Sequence, residues 1–217
     1  MSGNSHSQPA DLKAVIFDYG EVLCHRPTAE EIQRLADFFA ISVDRLPTLW
    51  ERNRGPYDRG DLSSEVYWSM LAKDAGKELS TSQLREICQL DLEMWSNVNT
   101  SMVEWANSLR SSGLKVGLLS NMHPDMVEHV RRRFAWLNDF DHVTFSGEAR
   151  LIKPDPAIYE LVLTGLGVMP SEALFVDDRA VNIQAARALG IRSIRFHSMA
   201  QLREDLQAAG FVILPRN

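Results

Sequence analysis

Two runs of β-branched and aromatic residues end abruptly at carboxylates: Val15-Ile16-Phe17 stops at Asp18, and Phe175-Val176 stops at Asp177-Asp178. A strand buried on both faces of a parallel sheet reads this way, and it delivers its last residue to the carboxyl edge, where open α/β sheets bind ligands. Further strands are predicted at Lys115 to Leu119, at Val143-Thr144-Phe145 and from Arg192 to Arg195. Helical periodicity over about 124–135, 155–167, 179–189 and 199–209 separates them. The alternation is βαβ grammar, and it predicts an α/β fold: a Rossmann-like three-layer core around a mostly parallel sheet. Punctuation agrees, because Pro156 and Pro170 break the pattern while Gly113 and Gly190 fall where a left-handed helix cap precedes a strand. A last apolar run, 211–214, reads as an edge strand.

The stretch from 25 to 97 departs from this alternation. It carries amphipathic patterns at Glu30 to Phe39, Ser64 to Ala75 and Leu84 to Trp95, and no persuasive strand. The expected organisation is a flexible tail over 1–10, a core built from 11–24 and 98–217, and an inserted α-helical subdomain over 25–97. Trp50, Trp68, Trp95 and Trp105 lie in or just beyond the insert and read first as anchors of a small bundle, with a ligand-facing tryptophan as the rarer alternative.

Composition narrows the class. Across 217 residues, 45% hydrophobic and 24% charged content are ordinary for a globular chain and disfavour disorder, collagen and membrane classes. A net charge of −6 gives no general attraction to nucleic acid or an acidic membrane, and Arg131-Arg132-Arg133 reads as a solvated helix face. Cys24 and Cys88 form neither a disulfide framework nor a zinc pattern, which points to a reducing compartment. Met1 to Ala10 lacks the apolar segment of a signal peptide, and no stretch reaches the roughly 18 apolar residues of a membrane span. The expectation is a cytoplasmic monomer or homodimer.

One acidic strand end is commonly just a helix cap, but two such ends favour a site. Four polar punctuations then fall in order at strand exits or loops: Asp18, Ser120-Asn121, Lys153-Pro154 and Asp177-Asp178, the last running into Arg179-Ala180-Val181-Asn182. In this the chain resembles the haloacid dehalogenase superfamily over essentially its whole length. The resemblance implies a nucleophilic Asp18, a phosphate-holding Ser120, a charge-compensating Lys153 and a terminal acidic pair. It also implies that the insert is a helical cap. Asp18 would attack phosphorus and form an aspartyl-phosphate. Mg²⁺ would be held by Asp18, the Gly20 carbonyl and Asp178, with Asp177 as a ligand or just behind it. Asn182 is expected to orient Asp178. Asn121, Gly20, His25 and Arg54 are the expected substrate contacts, with Arg26, Arg52, Tyr57 and His123 as further candidates. Arg52, Arg54 and Tyr57 are placed on an internal loop ending at Asp58-Arg59-Gly60.

The pattern departs from most phosphatases of that superfamily at Gly20, where a second aspartate usually serves as general acid and base. Losing that group costs about 10²- to 10⁴-fold in rate for leaving groups that need a proton. The run Asp18-Tyr19-Gly20-Glu21-Val22 resembles a recognised subset of the family. It implies leaving groups that need little protonation, such as an anomeric phosphate, or an acid borrowed from Glu21, His25 or the substrate. The expected function is Mg²⁺-dependent hydrolysis of a small phosphorylated metabolite, with a sugar phosphate as one option. The alternatives are a binding or regulatory protein and a 2-haloacid dehalogenase. A dehalogenase typically has Tyr at the Gly20 position and no acidic pair, which here would crowd a carboxylate substrate with like charge.

Overall fold

The computed structural model describes residues 12–212 and Pro215. The tail over 1–10 and residues 213–214 of the expected edge strand lie outside the described residues. Phe211 and Val212 form no strand, and Phe211 is instead buried in the core.

Strands β1 (Ala14–Phe17), β2 (Lys115–Ser120), β3 (His142–Phe145), β4 (Ala173–Asp177) and β5 (Arg192–Arg195) form one parallel sheet in the order β3-β2-β1-β4-β5. The chain steps outward from β1 to β3 on one side and then crosses to β4 on the other. The switch point therefore lies between β1 and β4, where open sheets leave a crevice at the carboxyl edge. Register sends the right residues there: Phe17 pairs with Leu118 and with Val176, so Asp18, Ser120 and Asp177 all emerge at that edge.

Between β1 and β2 run helices α1 (Ala29–Phe39), α2 (Leu46–Arg52), α3 (Arg54–Arg59), α4 (Ser64–Ala75), α5 (Thr81–Met94) and α6 (Thr100–Ser111). Helices α7 (Pro124–Arg133), α8 (Ser146–Ala149), α9 (Pro156–Leu166), α10 (Ala180–Ala188) and α11 (Met199–Ala208) follow. Alternation along β1 divides the core. Val15 and Phe17 pack with Trp105 of α6, Val130 of α7 and Leu206 of α11, whereas Ala14 and Ile16 pack with Val162 of α9 and Ala186 of α10. Helices thus cover both faces of the sheet. A third apolar cluster joins α1 to α5 through Leu35, Phe39, Leu49, Trp68, Leu71 and Ile87.

The expected loop at 52–59 is mistaken: α2 and α3 occupy it. Gly55-Pro56 looks like a turn, but Pro56 lies in the first turn of α3, where backbone N–H groups have no intrahelical acceptor and proline is tolerated. Helix α5, expected from Leu84, starts earlier than periodicity suggests, at Thr81, because Ser80 and Gln83 form a reciprocal capping box. Trp68 and Trp105 are fully buried anchors, while Trp50 and Trp95 are only part-buried.

Candidate active site

The register brings Asp18, Lys153 and Asp177 into direct contact. Lys153 Nζ lies 2.9 Å from Asp18 Oδ1 and 2.7 Å from Asp177 Oδ2, and it donates to the Leu119 carbonyl at 3.0 Å. Lys153 and Asp177 are almost wholly inaccessible. Asn121 fixes the loop that carries the lysine: its Oδ1 accepts from the Lys153 N–H at 2.8 Å and its Nδ2 donates to the Lys153 carbonyl at 3.0 Å.

Asp177 spends both oxygens on protein partners. Oδ1 accepts from the Arg179 N–H at 2.8 Å, Oδ2 faces Lys153, and Asn182 Nδ2 bridges both at 3.0 Å. The expectation that Asn182 orients Asp178 is therefore corrected, because α10 turns the amide toward Asp177, its neighbour in β4. Asp18 takes two contacts on Oδ1 alone, from Lys153 and from the Tyr19 N–H at 2.7 Å.

Three carboxylates thus crowd one ammonium. One ligand atom from each of Asp18, Asp177 and Asp178 falls within 4.8 Å of the others. Burial, opposed by Lys153 and reinforced by Asp177 and Asp178, pushes the Asp18 carboxyl up to about 8. Burial, with repulsion from Asp177 and Glu21, pushes Asp178 up to about 6. Burial disfavours the Lys153 ammonium, yet Asp177 and Asp18 outweigh it and hold the amine above its usual range. Hard oxygen donors carrying an excess of negative charge suit Mg²⁺, and these residues fit that ion.

The cluster opens on a cavity of about 870 Å³ bounded by the insert helices, with Asp18, Gly20, Ser120, Asn121, Lys153 and Asp178 on its core side. On the insert side the wall includes Arg54 and Asp58 of α3, and it gains Ile32, Val43, Trp50 and Trp95, none of them expected as contacts except as the rarer reading of the tryptophans. Their part-burial in an otherwise apolar bundle is a structural signal that periodicity does not carry. His25 lies apart from the large cavity, in a smaller neighbouring one of about 410 Å³ that also touches Glu21 and Asp178. Arg26 borders both cavities and pairs with Glu21 at 2.8 Å, while Arg52 pairs with Asp74 on the exposed surface.

Tyr57 and His123 do not reach the large cavity, which corrects their reading as substrate contacts. They are buried in a stack in which Tyr57 lies 4.1 Å from the Tyr67 ring on one side and 4.1 Å from the His123 ring on the other. His123 Nε2 lies 3.2 Å from Asp91 Oδ2, and Tyr57 Oη donates to the same oxygen at 3.3 Å. Arg54 Nε meets both oxygens of Asp58 at 2.9 and 3.1 Å. Ser146 Oγ donates to the Asp58 carbonyl at 2.6 Å. Asp91 escaped notice in the sequence, although a signal existed: it interrupts the apolar stripe Ile87, Leu90, Met94 of α5 at a core-facing position.

Among the described residues, no helix is long and apolar enough to cross a membrane. The sequence profile of haloacid dehalogenase-like hydrolases matches residues 12–190. The chain is 29% identical to drimenol cyclase drtB of Aspergillus calidoustus over 90% of its own length, spanning 36% of that protein. It is 26% identical to a D-ribitol-5-phosphate phosphatase of Bacteroides thetaiotaomicron, covering 90% of this chain and 97% of the relative. It is 25% identical to (S)-2-haloacid dehalogenase 4A of Burkholderia cepacia, covering 86% and 83%. With the profile spanning all four polar strand exits and loops of the site, the chain belongs to the haloacid dehalogenase-like hydrolases.

Proposed function

We propose that this hydrolase is a Mg²⁺-dependent phosphatase of a small phosphorylated metabolite, working through a phosphorylated Asp18 beneath a cap made by residues 25–97. The observation that carries the reading is the charge imbalance at the sheet's switch point, where, among the described residues, Asp18, Asp177 and Asp178 gather round one buried ammonium, that of Lys153. The likeness to a ribitol-phosphate phosphatase over nearly both full lengths supports it. Although dehalogenases are also relatives, a substrate carboxylate without a cation would meet three like charges here.

Asp18, Asp178 and the Gly20 carbonyl would hold Mg²⁺, which when bound supplies positive charge that polarises the phosphoryl oxygens. Asp177, saturated by Arg179, Asn182 and Lys153, acts from behind by fixing the lysine. Because both contacts to Asp18 fall on Oδ1, Oδ2 is the oxygen left for attack on phosphorus. Ser120 and Asn121 line the same wall and would bind the equatorial oxygens, with Lys153 screening charge. Arg54 would reach the rest of the substrate from α3. The free thiols of buried Cys24 and half-buried Cys88 suit a reducing, cytoplasmic setting.

The test is phosphate release from p-nitrophenyl phosphate and a panel of sugar phosphates, with Mg²⁺ and with chelator, for the wild type and Asp18→Asn. Loss of hydrolysis with chelator and with the substitution is the expected result. Release that survives either treatment would remove Asp18 or the cation from the reaction.

A further inference from the structure

The position that usually supplies the proton is not merely empty here. A Cβ built on Gly20 would touch the Trp95 ring at 3.5 Å, so an indole stands over the place where the second aspartate would begin. Trp95 is tied there from behind: its carbonyl accepts from Tyr19 Oη at 2.7 Å and from Cys24 Sγ at 3.1 Å, on the loop that carries the nucleophile. The indole lines the cavity together with Trp50, Ile32, Val43 and Pro27.

Each carboxyl lining that cavity has another role or a cationic partner. Asp18 is the nucleophile and Asp178 a cation ligand on the reading above. Glu21, at a backbone φ of 57°, is turned into its pair with Arg26 at 2.8 Å. Asp58 accepts from Arg54 Nε on Oδ2 at 3.1 Å within an ion pair, and Glu51 faces Arg179 at 3.9 Å on the exposed rim. No histidine borders the cavity among the described residues.

Resting on the phosphatase reading, we infer that the substrates are phosphomonoesters with a flat, apolar leaving group that departs as a stabilised anion, an aryl or enol ester, seated against Trp95 and Trp50. An aliphatic alkoxide needs a proton as its bond to phosphorus breaks, whereas a phenolate or enolate does not. In the first step Asp18 forms a bond to phosphorus, and the phosphorus–oxygen bond to the leaving group breaks with its electron pair on that oxygen. The anion takes a proton from solvent afterwards. Water then attacks phosphorus, the bond to Asp18 breaks with its electron pair on the carboxylate, one proton of the water stays on the departing phosphate and the other passes to solvent. An aromatic group against an indole adds binding that an alkyl group cannot match.

The experiment measures kcat/KM, which reports the first step, for p-nitrophenyl phosphate, phenyl phosphate and β-glycerol phosphate with Mg²⁺. The wild type is expected to favour the nitrophenyl ester over β-glycerol phosphate by roughly 10²- to 10⁴-fold, the range that a general acid would otherwise level. Trp95→Ala is expected to lower kcat/KM for the aryl esters about tenfold and for β-glycerol phosphate less than twofold, in line with the worth of an aromatic pair. Trp95→Phe should keep the preference, and Trp50→Ala tests the same wall should Trp95→Ala fail to fold. Similar kcat/KM across the three esters, or losses in the tryptophan variants that are equal for all three, would overturn the inference while leaving the phosphatase reading intact. Failure of the wild type to hydrolyse even the nitrophenyl ester would overturn that reading itself, and this inference with it.

Discussion

Two clusters of buried charge lie among the described residues, and they differ in balance. At the switch point Asp18, Asp177 and Asp178 share one ammonium, and the cluster opens on the cavity. Where the helical insert meets the loop after β2, Asp58 and Asp91 are matched by the Arg54 guanidinium and the His123 imidazole. That second cluster is walled by the rings of Tyr57 and Tyr67, and Ser64 Oγ donates to Asp125 across the same contact. His123 Nδ1 accepts from the Met126 N–H at 3.4 Å, and Nε2 lies 3.2 Å from Asp91 Oδ2. A surplus of carboxylates beside a cavity is a place for a mobile cation and an anionic substrate. A matched set joining the insert to the loop after β2 is a fastener even though Arg54 and Asp58 also reach the cavity wall, and perturbed ionisation alone would not separate the two.

The comparison breaks most severely at Lys153. Lys153→Met removes the one ammonium that, among the described residues, pairs with Asp18 and Asp177, leaving them buried against each other. Breaking a buried pair from one side costs about 3–5 kcal/mol. We expect that loss in denaturant melts of the cation-free protein, partial recovery with Mg²⁺, and a fall in kcat of about 10²- to 10³-fold, typical of a lost charge-stabilising donor. Full stability in chelator would mean that the lysine does not compensate the two aspartates.

A substitution in the matched cluster should act on the fold and spare the chemistry. Asp91→Asn keeps the shape of the side chain but removes the carboxylate that faces His123 Nε2 and accepts from Tyr57 Oη, while Arg54 keeps Asp58. We expect a destabilisation of about 2–3 kcal/mol in denaturant melts, nearer the lower cost of a weakened buried bond than that of an isolated charge. The kcat for p-nitrophenyl phosphate should stay within about threefold, since Asp91 touches none of the reacting groups. A stable protein with a large loss of kcat would show that this cluster belongs to the reaction and not to the fastening of the insert.

The difference between the clusters also separates what the sequence reveals from what it hides. Asp18, Ser120, Lys153 and Asp177 were legible because each ends a strand or opens a loop at one sheet edge, and a parallel sheet turns spacing along the chain into proximity. All five strands fall within a residue or so of their apolar runs for the same reason. The insert offered no such rule. Which faces of α3 and α5 meet depends on packing between helices, so Asp58 and Asp91 could not be paired with Arg54 and His123 by spacing. Helix α3 itself was hidden by Gly55-Pro56, whose turn chemistry is also compatible with a helix's first turn. Asn182 was one residue from its correct assignment, because adjacent aspartates are indistinguishable until β4 buries Asp177 and leaves Asp178 facing the cavity.

The smallest expected effect follows from protons competing with the cation at the unbalanced cluster. In the cation-free protein Asp18 is pushed up to about 8 and Asp178 to about 6, both above the ordinary 3.8. Folded-state values above unfolded ones mean that these groups favour the fold most below about pH 4, and that this contribution is lost as pH rises through 6 and then 8. Mg²⁺ requires the carboxylates ionised, so its binding expels protons and strengthens with pH. At 100 times its dissociation constant the ion stabilises the fold by about 2.7 kcal/mol. Melting temperatures taken from pH 5 to pH 8 should therefore fall with pH in chelator, and the gap between chelator and a fixed Mg²⁺ concentration should widen. The gap belongs to the unbalanced cluster, so Asp18→Asn should narrow it while Asp91→Asn leaves it in place. A gap of constant width would mean that protons and the cation do not meet at Asp18 and Asp178, and the surplus of carboxylates there would need another purpose.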